Sequence, residues 1–358
     1  MKQYVFCSKN TDLFKKILQT SFTEAGRKKS MASYRLSSAN VGQLYSSFVM
    51  TLTSIVASTL VAMPSSAGEI KTKIALNWKP EPQFGGFYAA DVEGYFSRAG
   101  LNVEILPGGS GTPTVQMVAA GSVDFAVVSA DEVILSQSKG SDVVAVFATY
   151  QINPQGIMVH AERGFKSLDE VFKNEGTLAW QAGLPYALFL KKKFTNPKVK
   201  LVPYLGGISN FMNDPSFSQQ CFVTSEPLSA KKANAKVQTF LVADAGYNPY
   251  TTVLVTRHRV LKQKRELVVK VVQAVREGLK RYLEAPERTN LKMSELNKAM
   301  DLATFVESAQ AQKPLIATKD PMELGKMTAT RWKELSDQMK DLGLTQNVPE
   351  TQKLFENL

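Results

Sequence analysis

Residues Ile74 to Tyr95 read IALNWKPEPQFGGFYAADVEGY. A short apolar run ends in Asn77-Trp78, a loop with Pro80, Pro82, Gly85 and Gly86 follows, crowded with aromatics, and a helical pattern opens at Gly86-Phe87-Tyr88. A strand that runs through a loop into a helix is the unit of an α/β protein, and such proteins bind small molecules at the carboxyl ends of their strands. Here that position carries flat, π-rich side chains and no obvious acid, base or nucleophile, so it reads as a place for holding a ligand.

The chain has 358 residues, 44% hydrophobic and 21% charged, which predicts one or two folded domains with a core that needs no disulfides. Its net charge of +11 is concentrated at the start, where Lys2, Lys9, Lys15, Lys16, Arg27, Lys28, Lys29 and Arg35 are opposed only by Asp12 and Glu24. An apolar stretch from Phe48 to Met63 follows, then Ser65-Ser66-Ala67, small residues placed as at a cleavage site before Gly68. This predicts a cleavable signal segment over 1–67, with Met31 as an alternative start. The competing reading, a membrane anchor, needs roughly 20 apolar residues, and this stretch has about 16, rich in Ser and Thr.

Removal of that segment takes eight basic and two acidic residues from the totals of 43 and 32, leaving a net charge of +5. Such a charge, with Lys191-Lys192-Lys193 as its single short run, does not make a nucleic-acid binder. Of the two cysteines, Cys7 lies in the segment to be removed and Cys221 is left alone. An exported chain without a disulfide fits a bacterial periplasm. No cysteine follows the apolar stretch to carry a lipid, and no metal site or cofactor motif is legible.

After Gly68, ten strand candidates alternate with helices: Lys73–Trp78, Val103–Leu106, Asp124–Ser129, Val143–Tyr150, Gly156–His160, Thr177–Trp180, Lys200–Pro203, Gln220–Thr224, Val237–Val242 and Thr252–Thr256. The alternation predicts an α/β fold with mainly parallel strands. From Leu261 the texture is helical, with Val268, Val271, Val272, Val275, Leu279 and Tyr282 at amphipathic spacing in a helix that ends before Pro286. Further helices are expected over Phe87–Ala99, Met293–Ala311 and Met322–Leu342. The interruptions Asn153-Pro154-Gln155-Gly156 and Asn248-Pro249-Tyr250 look like two crossings of a chain that leaves one lobe, builds another and returns.

Two connections carry polar groups at strand ends. Pro107-Gly-Gly-Ser-Gly-Thr-Pro-Thr114 opens a helix with free N–H groups and could take a phosphate, sulfonate or carboxylate, or be a plain turn. Ser129-Ala130-Asp131-Glu132 follows another strand, where Asp131 can cap the helix and touch a ligand as well.

Taken in order, Leu76-Asn-Trp-Lys-Pro80, Gly85-Gly-Phe-Tyr-Ala-Ala90, Glu93-Gly-Tyr-Phe96, Gly100-Leu-Asn-Val-Glu-Ile-Leu-Pro-Gly-Gly109, Ala120-Gly-Ser-Val-Asp-Phe125, Ala130-Asp-Glu-Val133, Pro154-Gln-Gly-Ile-Met-Val159, Thr224-Ser-Glu-Pro227 and Gly246-Tyr-Asn-Pro-Tyr250 resemble the substrate-binding proteins of ABC importers that share the NMT1/THI5-like (SsuA/THI5-like) domain. The resemblance implies a type II periplasmic binding protein, two mixed sheets flanked by helices and joined by two crossing strands. Lobe one would span 71–154 plus 254–358, and lobe two 155–253. The implied cleft takes Asn77, Trp78, Phe84, Tyr88, Ser129, Asp131 and Gln155 from one side, and Trp180, Gly183–Tyr186, Tyr204, Glu226 and Tyr250 from the other and the return. Implied partners are a small-molecule ligand and the permease and ATPase subunits of the inner membrane, met by a periplasmic monomer without a cofactor.

Aromatic stacking and the carboxylates favour a flat neutral or cationic heterocycle such as a thiamine-precursor pyrimidine. A sulfonate or nitrate receptor is the alternative, supported by the Gly108–Thr114 loop and opposed by the like charge of Asp131 and Glu226. An enzyme is the third reading. Pyrimidine synthases of the superfamily use a cysteine-rich iron motif, histidine and a lysine, whereas the mature chain has one cysteine and the histidines His160 and His258.

Overall fold

The computed structural model describes residues 69–358; the expected signal segment lies outside them. Ten strands form two five-stranded sheets. β1 (Ile70–Ala75), β2 (Leu101–Leu106), β3 (Phe125–Val128), β4 (Val143–Tyr150) and β10 (Thr251–Arg257) make the first, in the order β2-β1-β3-β10-β4. β5 (Gln155–His160), β6 (Thr177–Trp180), β7 (Lys200–Pro203), β8 (Phe217–Phe222) and β9 (Val237–Leu241) make the second, in the order β7-β6-β8-β5-β9. All ten expected strands are present, with ends displaced by up to three residues.

The expectation of mainly parallel strands is corrected: both sheets are mixed. β1 runs parallel to β2 and β3, and β6 parallel to β7 and β8, whereas β10 is antiparallel to β3 and β4, and β5 antiparallel to β8 and β9. The two antiparallel strands are the ones that emerge from the two crossings. A chain entering a sheet from the side of its carboxyl ends has to run against the strands already there. The carboxyl ends of the parallel strands in each sheet therefore lie on the side where the chain crosses.

β4 is buried at every residue, as a strand covered on both faces requires. The amphipathic helix Arg265–Glu284 covers the first sheet with Val268, Val271, Val272, Val275, Leu279 and Tyr282, all at most 1% exposed, as their spacing predicts. It lies against the helix Gly85–Val92 at very short range. A Cβ on Gly278 would stand 2.2 Å from the Gly86 carbonyl, and one on Gly85 2.1 Å from the Tyr282 ring. The paired glycines thus serve helix-to-helix packing.

Three helices are shorter than their patterns suggest. Phe87–Ala99 is two pieces, Gly85–Val92 and Tyr95–Arg98, broken at Gly94, whose φ of 72° only glycine adopts without strain. Met293–Ala311 is Glu287–Leu296 and Leu302–Ala311, the second capped by Asp301 accepting from the Thr304 amide at 2.9 Å. The last long helix begins at Ala329, capped by Thr328, because Pro321 opens only a 3-10 turn.

Candidate functional site

The end of β1 is held from both flanks. The Trp78 carbonyl accepts from the Gly108 amide at 3.0 Å, and a Cβ on Gly108 would lie 2.0 Å from the Leu76 carbonyl, so only glycine lets the two loops meet. The Gly109 amide is taken by Thr112 Oγ1 at 2.8 Å. Two of the amides expected to welcome an anion are therefore already engaged. Pro113 is the cap residue before the helix Thr114–Ala120, not its first residue.

Trp78 is 39% exposed, and its indole N–H donates to Glu81 Oε1 at 3.1 Å. Glu81 escaped the sequence reading, although it stands inside the segment that decides the fold. Its loop is tied down by two buried side chains of the C-terminal helices and the loop between them. Asn297 Nδ2 donates to the Pro80 carbonyl at 3.1 Å, and Gln312 Nε2 to the Pro82 carbonyl at 3.0 Å, while Gln312 Oε1 accepts from the Tyr150 hydroxyl at 2.7 Å. No local pattern links these residues, so only their partners could have revealed them.

From the second sheet, the loop after β8 presents Glu226 at the first turn of the helix Glu226–Lys232. Its Oε2 accepts from the Phe222 amide at 2.9 Å and its Oε1 from the Tyr204 hydroxyl at 3.0 Å, just beyond the end of β7. Burial raises the Glu226 pKa, and the hydrogen bonds from Phe222 and Tyr204 only partly offset it. Burial and then the like charge of Glu226 push Glu81 up to about 7, against the smaller opposing effect of the Trp78 indole and Lys79. The carboxylates that follow β1 and β8 are thus electrostatically coupled. Burial raises the pKa of Tyr150, at the end of β4, and the charge of Glu81 adds to it.

Around this pair the second sheet adds amides. Tyr186, on the helix Pro185–Lys193, donates to Gln220 Oε1, which also accepts from the Gln181 amide at 2.6 Å, and Gln220 Nε2 donates to Gln181 Oε1 at 2.7 Å. Gln155 Nε2 lies 3.3 Å from the Cys221 carbonyl. Gln155, Tyr186, Tyr204 and Glu226 are thereby brought into one neighbourhood, with Gln181 and Gln220 as members that the sequence reading missed.

Other expected residues sit elsewhere. Phe84 and Tyr88, 1% and 3% exposed, lie in the core beneath the Arg265–Glu284 helix. The Tyr88 hydroxyl is buried without a partner among the described residues, and its pKa is raised by burial and then by Asp91. Trp180, 2% exposed, packs with Phe172. Tyr250 is 2% exposed and gives its hydroxyl oxygen to the Thr328 amide at 2.9 Å. Ser129 and Asp131 form a separate group at the end of β3. Ser129 caps the helix Ala130–Ser138 with Glu132, and Asp131 accepts from Ser129 and, at 3.1 Å, from the Tyr247 hydroxyl. Asn77 is half-buried beside Trp78. No metal-ligating cluster occurs among the described residues, and no described helix is long and apolar enough to cross a membrane.

Residues 81–289 match the family model described as NMT1/THI5 like. A formylaminopyrimidine-binding protein of Halalkalibacterium halodurans is 32% identical over 95 residues, 26% of this chain and 29% of that relative's length. The riboflavin-binding protein RibY of Chloroflexus aurantiacus is 22% identical over 79% of this chain and 84% of its own. In structure, the periplasmic aliphatic sulphonate binding protein SsuA of Escherichia coli aligns with a TM-score of 0.63 at 13% identity, covering 80% of this chain and 92% of that one. At that identity the likeness speaks for the fold, two lobes each built on a mixed sheet. The family model spans more than half of the 358 residues, and the chain belongs to the NMT1/THI5-like family.

Proposed function

We propose that this chain is the solute-binding receptor of an ABC importer and that its ligand is a flat heterocycle of the thiamine-precursor pyrimidine type, held between the two lobes. The observation that carries the reading is a pair of aromatic–carboxylate hydrogen bonds, Trp78 to Glu81 in one lobe and Tyr204 to Glu226 in the other. Carboxylates accept hydrogen bonds and attract cations, and aromatic faces cover flat rings, so the set suits a ring edged with N–H donors. An anion would meet two like charges and find the Gly108 and Gly109 amides occupied. The names of the two sequence relatives, one for a formylaminopyrimidine and one for riboflavin, agree with a nitrogen heterocycle.

In this reading the ligand contacts are Asn77, Trp78, Glu81, Gln155, Tyr204 and Glu226, with Tyr186 acting behind them through Gln220. Phe84, Tyr88, Trp180 and Tyr250 shape the cleft walls from the core. The receptor binds without chemistry, works in the periplasm after removal of the N-terminal segment, and delivers to a permease and its ATPase as a monomer. Mass spectrometry of natively purified protein, then calorimetry with hydroxymethylpyrimidine, its formylamino precursor, riboflavin and alkanesulfonates, tests the reading. Binding of a heterocycle supports it; binding of an alkanesulfonate alone, or of none of these, sinks it.

A further inference from the structure

The two crossings meet at a pair of asparagines. The Asn153 amide donates to Asn248 Oδ1 at 2.9 Å, and Asn153 Nδ2 donates to the Pro249 carbonyl at 3.1 Å. On one side of this pair the chain is tied to the first sheet and the C-terminal helices. The Gln151 and Ile152 amides donate to the Leu315 carbonyl, and the Tyr250 carbonyl accepts from the Ala130 amide. On the other side it is tied to the second sheet. The Pro154 carbonyl accepts from the Val223 amide, and the Gln155 carbonyl from the Val242 amide, each at 3.0 Å. Between these ties the first crossing turns at Asn153 and the second runs from Val242 to Tyr250, where Gln338 Nε2 also donates to the Gly246 carbonyl at 2.8 Å.

One side chain spans both. Arg331, near the start of the helix Ala329–Asp341, donates through Nε to the Asn248 carbonyl at 2.7 Å, through Nη2 to Asn248 Oδ1 at 2.9 Å, and through Nη1 to the Gln151 carbonyl. Its guanidinium carbon lies 3.8 Å from the centre of the Tyr250 ring. The group is planar and its donors form a rigid fork, so carbonyls from two separate segments are held at one relative orientation. A cavity of about 160 Å³, lined by Asn248, Thr328, Arg331 and Gln338 among others, adjoins the clamp.

We propose that Arg331 is the positioning residue that fixes the pivot of cleft closure, by tying Gln151 and Asn248, one in each crossing, to the C-terminal helix and so confining the bend to the parts of the crossings beyond them. The proposal rests on the two-lobed receptor reading. Hinges of binding proteins are a few residues that absorb the torsional change, and what flanks them sets how far the lobes swing. Arg331 is not among the proposed ligand contacts and acts through Asn248 and Gln151.

The distribution of distances between the lobes tests this in the ligand-free protein. Spin labels are placed at Asn102→Cys and Lys173→Cys, both exposed, while native Cys221 is buried. With Arg331 present one narrow distribution is expected, and Arg331→Ala is expected to broaden it about twofold by populating further lobe angles. Arg331→Lys keeps the charge but lacks the fork, so it should broaden the distribution as well. Asn248→Ala, which leaves Arg331 intact and removes the shared acceptor, covers the case in which an Arg331 variant fails to fold. A lowered melting temperature with an unchanged distribution would mean a plain structural tie. Folded Arg331→Lys and Asn248→Ala proteins with the original distribution overturn the proposal. Hydroxymethylpyrimidine is then added to the unsubstituted, labelled protein. If the variants broaden but this compound moves nothing, the pivot stands and the pyrimidine reading is the one that fails.

Discussion

The Tyr204 hydroxyl donates to Oε1 of Glu226 at 3.0 Å, and the other oxygen of that carboxylate is held by the Phe222 amide. Glu226 is therefore oriented before any ligand arrives, with lone pairs left over. Glu226→Gln keeps the shape and removes the charge, and it should weaken hydroxymethylpyrimidine binding by about tenfold or more, since 1.4 kcal/mol is a decade in affinity. Calorimetry reads the change; equal affinity would take Glu226 out of the site.

Glu81 supplies a pH dependence. Its pKa in the folded chain, about 7, lies above the ordinary 4.5, so the folded state holds a proton that the unfolded state has released. Stability is then expected to be highest below about 4.5 as far as this group is concerned, and to fall as pH rises through 7. A ligand that donates to the ionised pair should do the reverse and bind more tightly between about pH 6 and 8. Glu81→Gln should flatten both trends in parallel melting and calorimetric series.

Trp78 and Tyr88 separate binding from folding. Trp78 is 39% exposed, so Trp78→Ala should cost clearly less stability than a core truncation and lower affinity about tenfold. Tyr88 is buried in the core, and Tyr88→Ala should cost about 3–5 kcal/mol of stability. Denaturant melts of both variants check the contrast, which would disappear if Tyr88 served the ligand alone.

Lys232 forms a tie across the lobes, its ammonium 2.6 Å from Asp301 Oδ1 and 2.7 Å from Thr304 Oγ1. Glu226 begins the helix that Lys232 ends. Lys232→Ala should speed ligand release by up to about fivefold, as an exposed ion pair allows, and the effect should shrink at high salt. Stopped-flow dissociation at two salt concentrations measures it.

Gly278→Ala places a Cβ 2.2 Å from the Gly86 carbonyl and 2.6 Å from the Ala90 amide nitrogen, both backbone. Neither can turn away, so a loss of about 1–3 kcal/mol is expected, seen as a lower melting temperature. An unchanged melt would show that the two helices separate freely.

The amino-acid sequence by itself determined the strands, the amphipathic helix of Val268 to Tyr282 and the two crossings, because each is written in the order of apolar residues and the turn residues that bound them. It also placed Trp78, Tyr204, Glu226 and Gln155 at strand ends or a crossing, where α/β proteins bind ligands. Tertiary structure alone decided the rest. The glycines and aromatics of the opening segment resemble a binding loop until the Arg265–Glu284 helix closes over them and turns Phe84 and Tyr88 into core. Glu81 looks like any loop acid until the Trp78 indole donates to it and Gln312, 230 residues from Pro82, fixes the loop from behind. Arg331 is an ordinary helical arginine until it reaches the Gln151 carbonyl 180 residues away. Local pattern reports which face of an element is apolar; which polar groups become partners depends on packing between distant segments, and that is set only when the sheets and the C-terminal helices assemble.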